Sequence, residues 1–366
     1  MKQHKTNFIT LFVFLTIIFT FTIANIFSPK LDFSPNENRY LTKFPSLSID
    51  NILSGKFDDE FESWFSDHFI ARDTWIQAKA ISKLATGSIE NNDIYLGKDN
   101  HLISSFHTYN KQTLENNLSY IEEFAQENNI TAHILPLPTA AYSDEQYLPR
   151  HAFDLDQEEI IKEIQQQLPN QDVLDLSLDL KNQDAYFKTD HHWNEKGAKI
   201  AYDKICKEIL KKEPEEFTTT KVSSSFYGTL YSKSGMFWLK PDDLYRIDPI
   251  KPNTIQVTFE DGSTMNSCYS DENLLIKDAY TYYFDGNHAR VNIQTGIDNH
   301  KKAVIIKDSY AHILLPYLVQ EYSEIEVLDL RYYRDAVSKY VDETTDVYFI
   351  YSLDTLTSDK NLAALW

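Results

Sequence analysis

Ala303-Val304-Ile305-Ile306-Lys307-Asp308-Ser309-Tyr310 reads as an apolar strand that runs into a serine at a turn. A hydroxyl in that position is lifted clear of a sheet and lies beside free backbone N–H groups at the start of the next helix, groups suited to an oxyanion. Serine after a strand is also a common helix cap, so Ser309 alone decides little. Its weight comes from a second stretch, Thr189-Asp190-His191-His192-Trp193. In an extended segment alternate residues share a face, which pairs Asp190 with His192 and sends His191 and Trp193 the other way. The carboxylate would then hold the ring in one tautomer and stabilise the imidazolium formed when a serine loses its proton. A plain structural reading has Asp190 capping a turn and the histidines packed at a domain interface. A metal site from Asp190, His191 and His192 is a further alternative, placed behind because adjacent histidines in an extended run point apart and no other Cys/His cluster is near. No metal and no cofactor are therefore expected.

Outward from Ser309, helix and strand alternate. Strands are expected at Thr131 to Leu137, Asp172 to Leu176, Ala303 to Ile306, Ile325 to Leu330 and Val347 to Tyr351. Helices are expected at Lys111 to Asn128, Asp156 to Leu168, Asn194 to Lys212 with Asn194 as N-cap, Tyr310 to Glu321, and Tyr333 to Val341. This rhythm predicts an α/β fold with a doubly wound, mostly parallel sheet. Ligands of such sheets bind beyond the carboxyl ends of the strands, where Asp308, Ser309 and Arg331 would emerge. Arg331 reads either as a ligand for a substrate oxygen or carboxylate or as a surface ion pair. Glu213 to His300 breaks the rhythm and reads as an insertion. Upstream, Gly55 to Ala85 carries an aromatic, amphipathic pattern that predicts two short helices, and Asp93 to Ile103 a β-hairpin turning at Gly97 to Asn100.

Phe8 to Phe27 is uncharged and long enough to cross a hydrocarbon core as a helix. Its apolar length exceeds that of a cleavable signal peptide, which predicts a retained anchor, and Lys2 and Lys5 before it place the rest of the chain outside the cytoplasm. The expected organisation is an anchor over 1–28, a tether with a helical and hairpin segment over 29–110, and an α/β domain over 111–366 with its insertion at about 213–300. The 366 residues carry 35 basic and 55 acidic side chains, a net charge of −20 that argues against nucleic acid or an anionic bilayer surface as the main partner. Aromatics reach 14%, with 23 Tyr and 22 Phe, residue types that stack on sugar rings as well as in cores. Cys206 and Cys268 make neither a disulfide framework nor a zinc pattern.

The stretch from Tyr186 to Ala198 resembles the signature of the DHHW family, relatives of the alginate O-acetylation proteins in the SGNH-hydrolase-like superfamily. The resemblance extends to Glu37-Asn38-Arg39-Tyr40-Leu41, Gly55-Lys56-Phe57, Asp67-His68-Phe69 with Arg72, Asp93 to Gly97, Lys307-Asp308-Ser309-Tyr310 and Asp329 to Tyr333. It implies a triad of Asp190, His192 and Ser309, and an acyl-serine route by which acetyl groups are moved onto or removed from a cell-surface or secreted polysaccharide. Gly228, in Ser225 to Leu230, resembles the family's glycine block, which implies an oxyanion N–H there; an ordinary turn glycine fits the same residue. Lys307 departs from the family, standing where the Gly of Gly-Asp-Ser would be. Outside the cytoplasm no acetyl-CoA is at hand, so a transferase implies a membrane-bound O-acyltransferase as donor. The competing reading is a glycan-binding or scaffold protein of the cell envelope with a vestigial triad.

Overall fold

The computed structural model describes residues 2–366, with side chains from Phe8 onward, so the side chains of Lys2 and Lys5 lie outside the described residues. The chain forms two compact units, residues 1–88 with 235–237, and residues 89–234 with 238–366.

In the smaller unit, α1 (Lys2–Phe27) contains the apolar run Phe8–Phe27. It is followed by α2 (Ile49–Leu53), α3 (Lys56–Asp67) and α4 (Arg72–Ala85), the last two matching the predicted pair. The segment read as a tether is bound back onto this unit. Phe33–Ser34 pairs antiparallel with Arg39–Tyr40, Arg39 grips both oxygens of buried Asp67, and Arg72 meets Glu37 at 2.6 Å.

The larger unit is built on an eight-stranded sheet. Its strands are β1 (Ala132–Leu137), β2 (Asp172–Val173), β3 (Ile255–Phe259), β4 (Thr264–Met265), β5 (Arg290–Thr295), β6 (Lys302–Lys307), β7 (Glu324–Leu328) and β8 (Thr345–Ser352), in the spatial order β4-β3-β5-β7-β6-β8-β1-β2. Strands β7, β6, β8, β1 and β2 run parallel and are the five that the sequence predicts. The other three are antiparallel and come from the stretch read as an insertion. That stretch therefore completes the sheet, and only the hairpin of Phe217–Phe226 with Asp242–Pro249 stands apart from it.

Strand β6 lies between β7 and β8 and is apolar on both faces, as a buried parallel strand must be. Ala303 and Ile305 enter one core with Tyr348 and Ile350 of β8; Val304 and Ile306 enter the other with Val347 and Phe349. Helix α7 (Glu195–Glu208) covers the first face through Ala198, Ala201, Tyr202 and Ile205. Helices α5 (Lys111–Glu127) and α6 (Gln157–Gln167) cover the second through Leu114, Leu118, Ile121, Ile160, Ile161 and Ile164. Each helix starts where its cap dictates: Asn110, Asp156 and Asn194 accept backbone N–H groups of the first turn. The predicted helix from Tyr310 to Glu321 is instead a 3₁₀ turn, Ser309–Ile313, and a short helix, Leu315–Leu318, and Tyr333 to Val341 holds only the 3₁₀ turn Val337–Tyr340. The hairpin expected near residue 97 is present, Ile94–Leu96 against Leu102–Ser104, inside the larger unit. Cys206 and Cys268 are buried free thiols.

Candidate active site

The carboxyl end of β6 is pinned before it turns. Asp308 accepts the N–H of Tyr310 at 2.9 Å through one oxygen, and through the other the N–H and hydroxyl of Ser352 at 2.9 and 3.0 Å. The ends of β6 and β8 are thereby joined, and Ser309 follows at the rim of the sheet, half-buried.

The second stretch arrives through a bend, not an extended segment. Tyr186 bridges to Trp193, Thr189 is held through its N–H (2.8 Å) and hydroxyl (2.6 Å) by Asp242, and the Trp193 indole donates to the Tyr310 carbonyl at 2.7 Å. This brings the three residues together. His192 Nε2 lies 2.7 Å from Ser309 Oγ, and His192 Nδ1 lies 2.5 Å from Asp190 Oδ1. Asp190 also accepts the N–H of His192 at 3.0 Å and that of Thr229 at 2.7 Å. Burial pushes the Asp190 carboxyl upward, but the two histidines and the Thr229 N–H outweigh it and hold it well below the usual carboxylate range.

Because of the bend, His191 does not face away from its neighbours. Its ring lies over that of His192 at 3.9 Å, and its Nδ1 is 3.6 Å from Asp190 Oδ1. Among the described residues, Asp190, His191 and His192 form the one group whose ligand atoms approach closely enough for an ion, all within 4.8 Å, which corrects the argument that adjacent histidines point apart. Both nitrogens of His192 are nevertheless bonded, one to the carboxylate and one to the serine hydroxyl, so metal binding would have to break the chain that the geometry forms.

Gly228 and Arg331 are held closer to their structural readings, a glycine where two segments meet and an ion pair, than to an oxyanion donor and a substrate ligand. The Gly228 N–H donates to Thr189 Oγ1 at 3.1 Å and not toward Ser309. A Cβ on Gly228 would lie 2.2 Å from the Asp190 Cβ and 2.4 Å from its Oδ2, so glycine is required for the close approach of the two segments. Arg331 forks onto Asp329, Nε to Oδ1 at 2.9 Å and Nη2 to Oδ2 at 2.6 Å, and reaches Asn287. Asp329 also takes Lys307, whose buried ammonium is 3.1 Å from Oδ2 and 2.8 Å from His312 Nε2. Lys307 thus reaches into a buried charged cluster with Asp329 and His312. Burial lowers its pKa and Asp329 opposes the shift.

Tyr280 was not anticipated. Its ring packs flat on that of His192, 3.9 Å between centroids and 8° between planes, and its hydroxyl donates to the Ser309 carbonyl at 3.1 Å. It belongs to the stretch read as an insertion, and nothing in its local sequence marks it.

Residues 94–269 match the family model described as the SGNH hydrolase-like domain of the acetyltransferase AlgX. This stretch is similar to the SGNH hydrolase-like domain of AlgX. The matched residues include Asp190, His192 and Gly228 and end before Ser309 and Arg331. The domain is similar in fold to a DHHW family protein from Eubacterium siraeum, 23% identical, with a TM-score of 0.65, over 75% of this chain and 95% of that one. It is also similar to PatB1 from Bacillus cereus, solved with a sulfonyl adduct: 23% identity, TM-score 0.61, 74% of this chain and 98% of that one. No curated protein matches the sequence.

Proposed function

We propose that the SGNH-like domain is an O-acetyltransferase that carries an acetyl group on Ser309 and passes it to a hydroxyl of an extracytoplasmic glycan. The observation that carries this reading is the continuous path Ser309 Oγ, His192, Asp190 at 2.7 and 2.5 Å. His192 takes the proton of Ser309 as the hydroxyl attacks the acetyl carbonyl, and Asp190 holds the ring and offsets its charge. Collapse of the tetrahedral intermediate breaks the bond to the leaving group, which receives that proton from His192. An acceptor hydroxyl then repeats the sequence against the acyl-serine, losing its proton to His192 and leaving as the acetyl ester. The Ser309 N–H, at the start of the 3₁₀ turn after β6, is the backbone donor assigned to the oxyanion, a role Gly228 cannot fill while bonded to Thr189.

A glycan acceptor is supported by the relation to the acetyltransferase AlgX. Retention of α1 as an anchor is supported by how it is built into its unit. Phe21 stacks on Phe69 at 5.8 Å, and buried Asn25 accepts the N–H of Ile70 at 3.0 Å, contacts that cleavage would destroy. With the domain outside, acetyl-CoA is out of reach, and a membrane-bound O-acyltransferase is the class of donor required.

The test needs no knowledge of the glycan. The full chain in detergent is incubated with a small activated acetyl ester and mapped by peptide mass. Acetyl on Ser309 that is absent from Ser309→Ala is expected; ester turnover no faster than in that variant, with glycan binding retained, would establish the binding protein instead. Since PatB1 is known with a sulfonyl adduct, a sulfonyl fluoride should likewise add its mass at Ser309.

A further inference from the structure

The apolar surface of the smaller unit does not stop where α1 ends. Phe57, Phe61 and Phe65 recur every fourth residue along α3 and so fall on one side of the helix, and Phe69, just past its end, packs against Phe65. Their rings form an unbroken ladder, at 6.0, 6.2 and 5.5 Å, and Phe69 hands it to Phe21 of α1 at 5.8 Å. Trp75 joins at 6.0 Å from Phe21. The opposite side of α3 carries Asp59, Glu62 and Ser66, so the helix is amphipathic, yet much of its apolar side is open, Phe61 being 38% exposed and Phe65 39%, as is Trp75 of α4 at 50%.

Depth decides what covers it. Phe21 lies six residues before the end of the Phe8–Phe27 run, roughly 9 Å along the helix from its last residue. Rings stacked on Phe21 share its level, so a bilayer that contains α1 must also meet Phe69 and Trp75. Asn25, bonded to Ile70, and Lys30, donating to the carbonyls of Asn25 and His68 at 2.8 and 3.1 Å, fix α1 to the corner between α3 and α4. We propose that the ladder of α3, with Trp75, lies flat in the lipid interface beside the exit of α1, as amphipathic helices with aromatic faces do. The net charge of −20 sets the lipid class: a zwitterionic surface, entered through apolar contact and not through anionic headgroups.

The proposal rests on α1 being a retained span, and the test separates the two. The unmodified full chain is reconstituted in phosphatidylcholine vesicles containing a phosphatidylcholine with a diazirine near the top of its acyl chain, floated, irradiated and mapped by peptide mass. Label on peptides from residues 57–75 as well as on α1 is expected. Flotation with label confined to α1 would overturn the ladder alone and leave that face to water or to a membrane protein. A chain that does not float would overturn the anchor and the ladder together. In brominated phosphatidylcholine, the fluorescence difference between the parent and Trp75→Phe should be quenched; an undiminished difference in floated material would also overturn the proposal.

Discussion

Two buried histidines flank Tyr280, and their partners differ in sign. His192 has a carboxylate at one nitrogen and a serine hydroxyl at the other, with the tyrosine ring flat against it. His312, whose ring lies 6.0 Å beyond the same tyrosine, has the Lys307 ammonium at Nε2 and no hydrogen-bond partner at Nδ1 among the described residues. Burial and the ammonium hold the His312 pKa well below its ordinary value. Burial is therefore common to both rings, and what separates them is the charge placed against each, a carboxylate at His192 and an ammonium at His312. One ring is bonded to the serine hydroxyl; the other belongs to the buried cluster of Lys307 and Asp329.

Replacing Asp190 by Asn would break the contrast at its root, because the amide can hold the ring in the wrong tautomer and cannot offset an imidazolium. Rates of Ser309 acetylation from a small ester should fall by ~10⁴-fold with the fold unchanged by circular dichroism. A loss under tenfold would show that Asp190 does not set the ring of His192 for catalysis.

Removing the ammonium attacks the other ring. Lys307→Met leaves Asp329 with Arg331 alone in a buried site, and urea unfolding should report a loss of about 3 kcal/mol. An unchanged midpoint would mean that the cluster contributes nothing to the turn.

A pH series sharpens the comparison further. The folded pKa of His312 is depressed, so below about 6.5 the unfolded chain binds the proton first and stability falls as the pH falls. The slope from this one group is at most about 1.4 kcal/mol per pH unit. Its contribution is complete above the unfolded value. His312→Gln, which keeps an acceptor for Lys307, should flatten the decline in urea midpoint between pH 7 and 5; an identical decline would remove His312 from the account.

The smallest effect is expected at the ring between them. Tyr280→Phe keeps the stacking and loses only the bond to the Ser309 carbonyl, about 1 kcal/mol, so acetylation should slow by less than tenfold. Tyr280→Ala, which exposes one face of His192, should slow it more; equal rates in the two variants would deny the stacking a role.

The sequence discloses the parts of this site that rest on local pattern. Ala303 to Ile306 is a β-branched, apolar run ending in Asp-Ser, and its partners in the parallel half of the sheet share that texture, so five strands and Ser309 could be read directly. Strands β3 and β5 could not, because Ile255 to Phe259 and Arg290 to Thr295 mix polar with apolar residues and are bounded by Asp, Asn and Gly, as ordinary loops are. The orientation of His191 was hidden by the bend at Asp190, which rests on a distant Asp242. Tyr280, Thr229 and the burial of Lys307 depend in the same way on partners far along the chain, and sequence could not choose between a donor and a turn glycine at Gly228, whose lack of a side chain leaves room for Asp190.

The place of β6 between β7 and β8 sets an order of events in the life of the chain. A polypeptide made from its N-terminus presents Asp190 and His192 well before Ser309, and Ser309 before Ser352, which anchors Asp308. A partial product ending short of Ser352 lacks the bonds by which Ser352 holds Asp308. Labelling of Ser309 by a reactive ester during refolding would accordingly report the last long-range closure of the sheet.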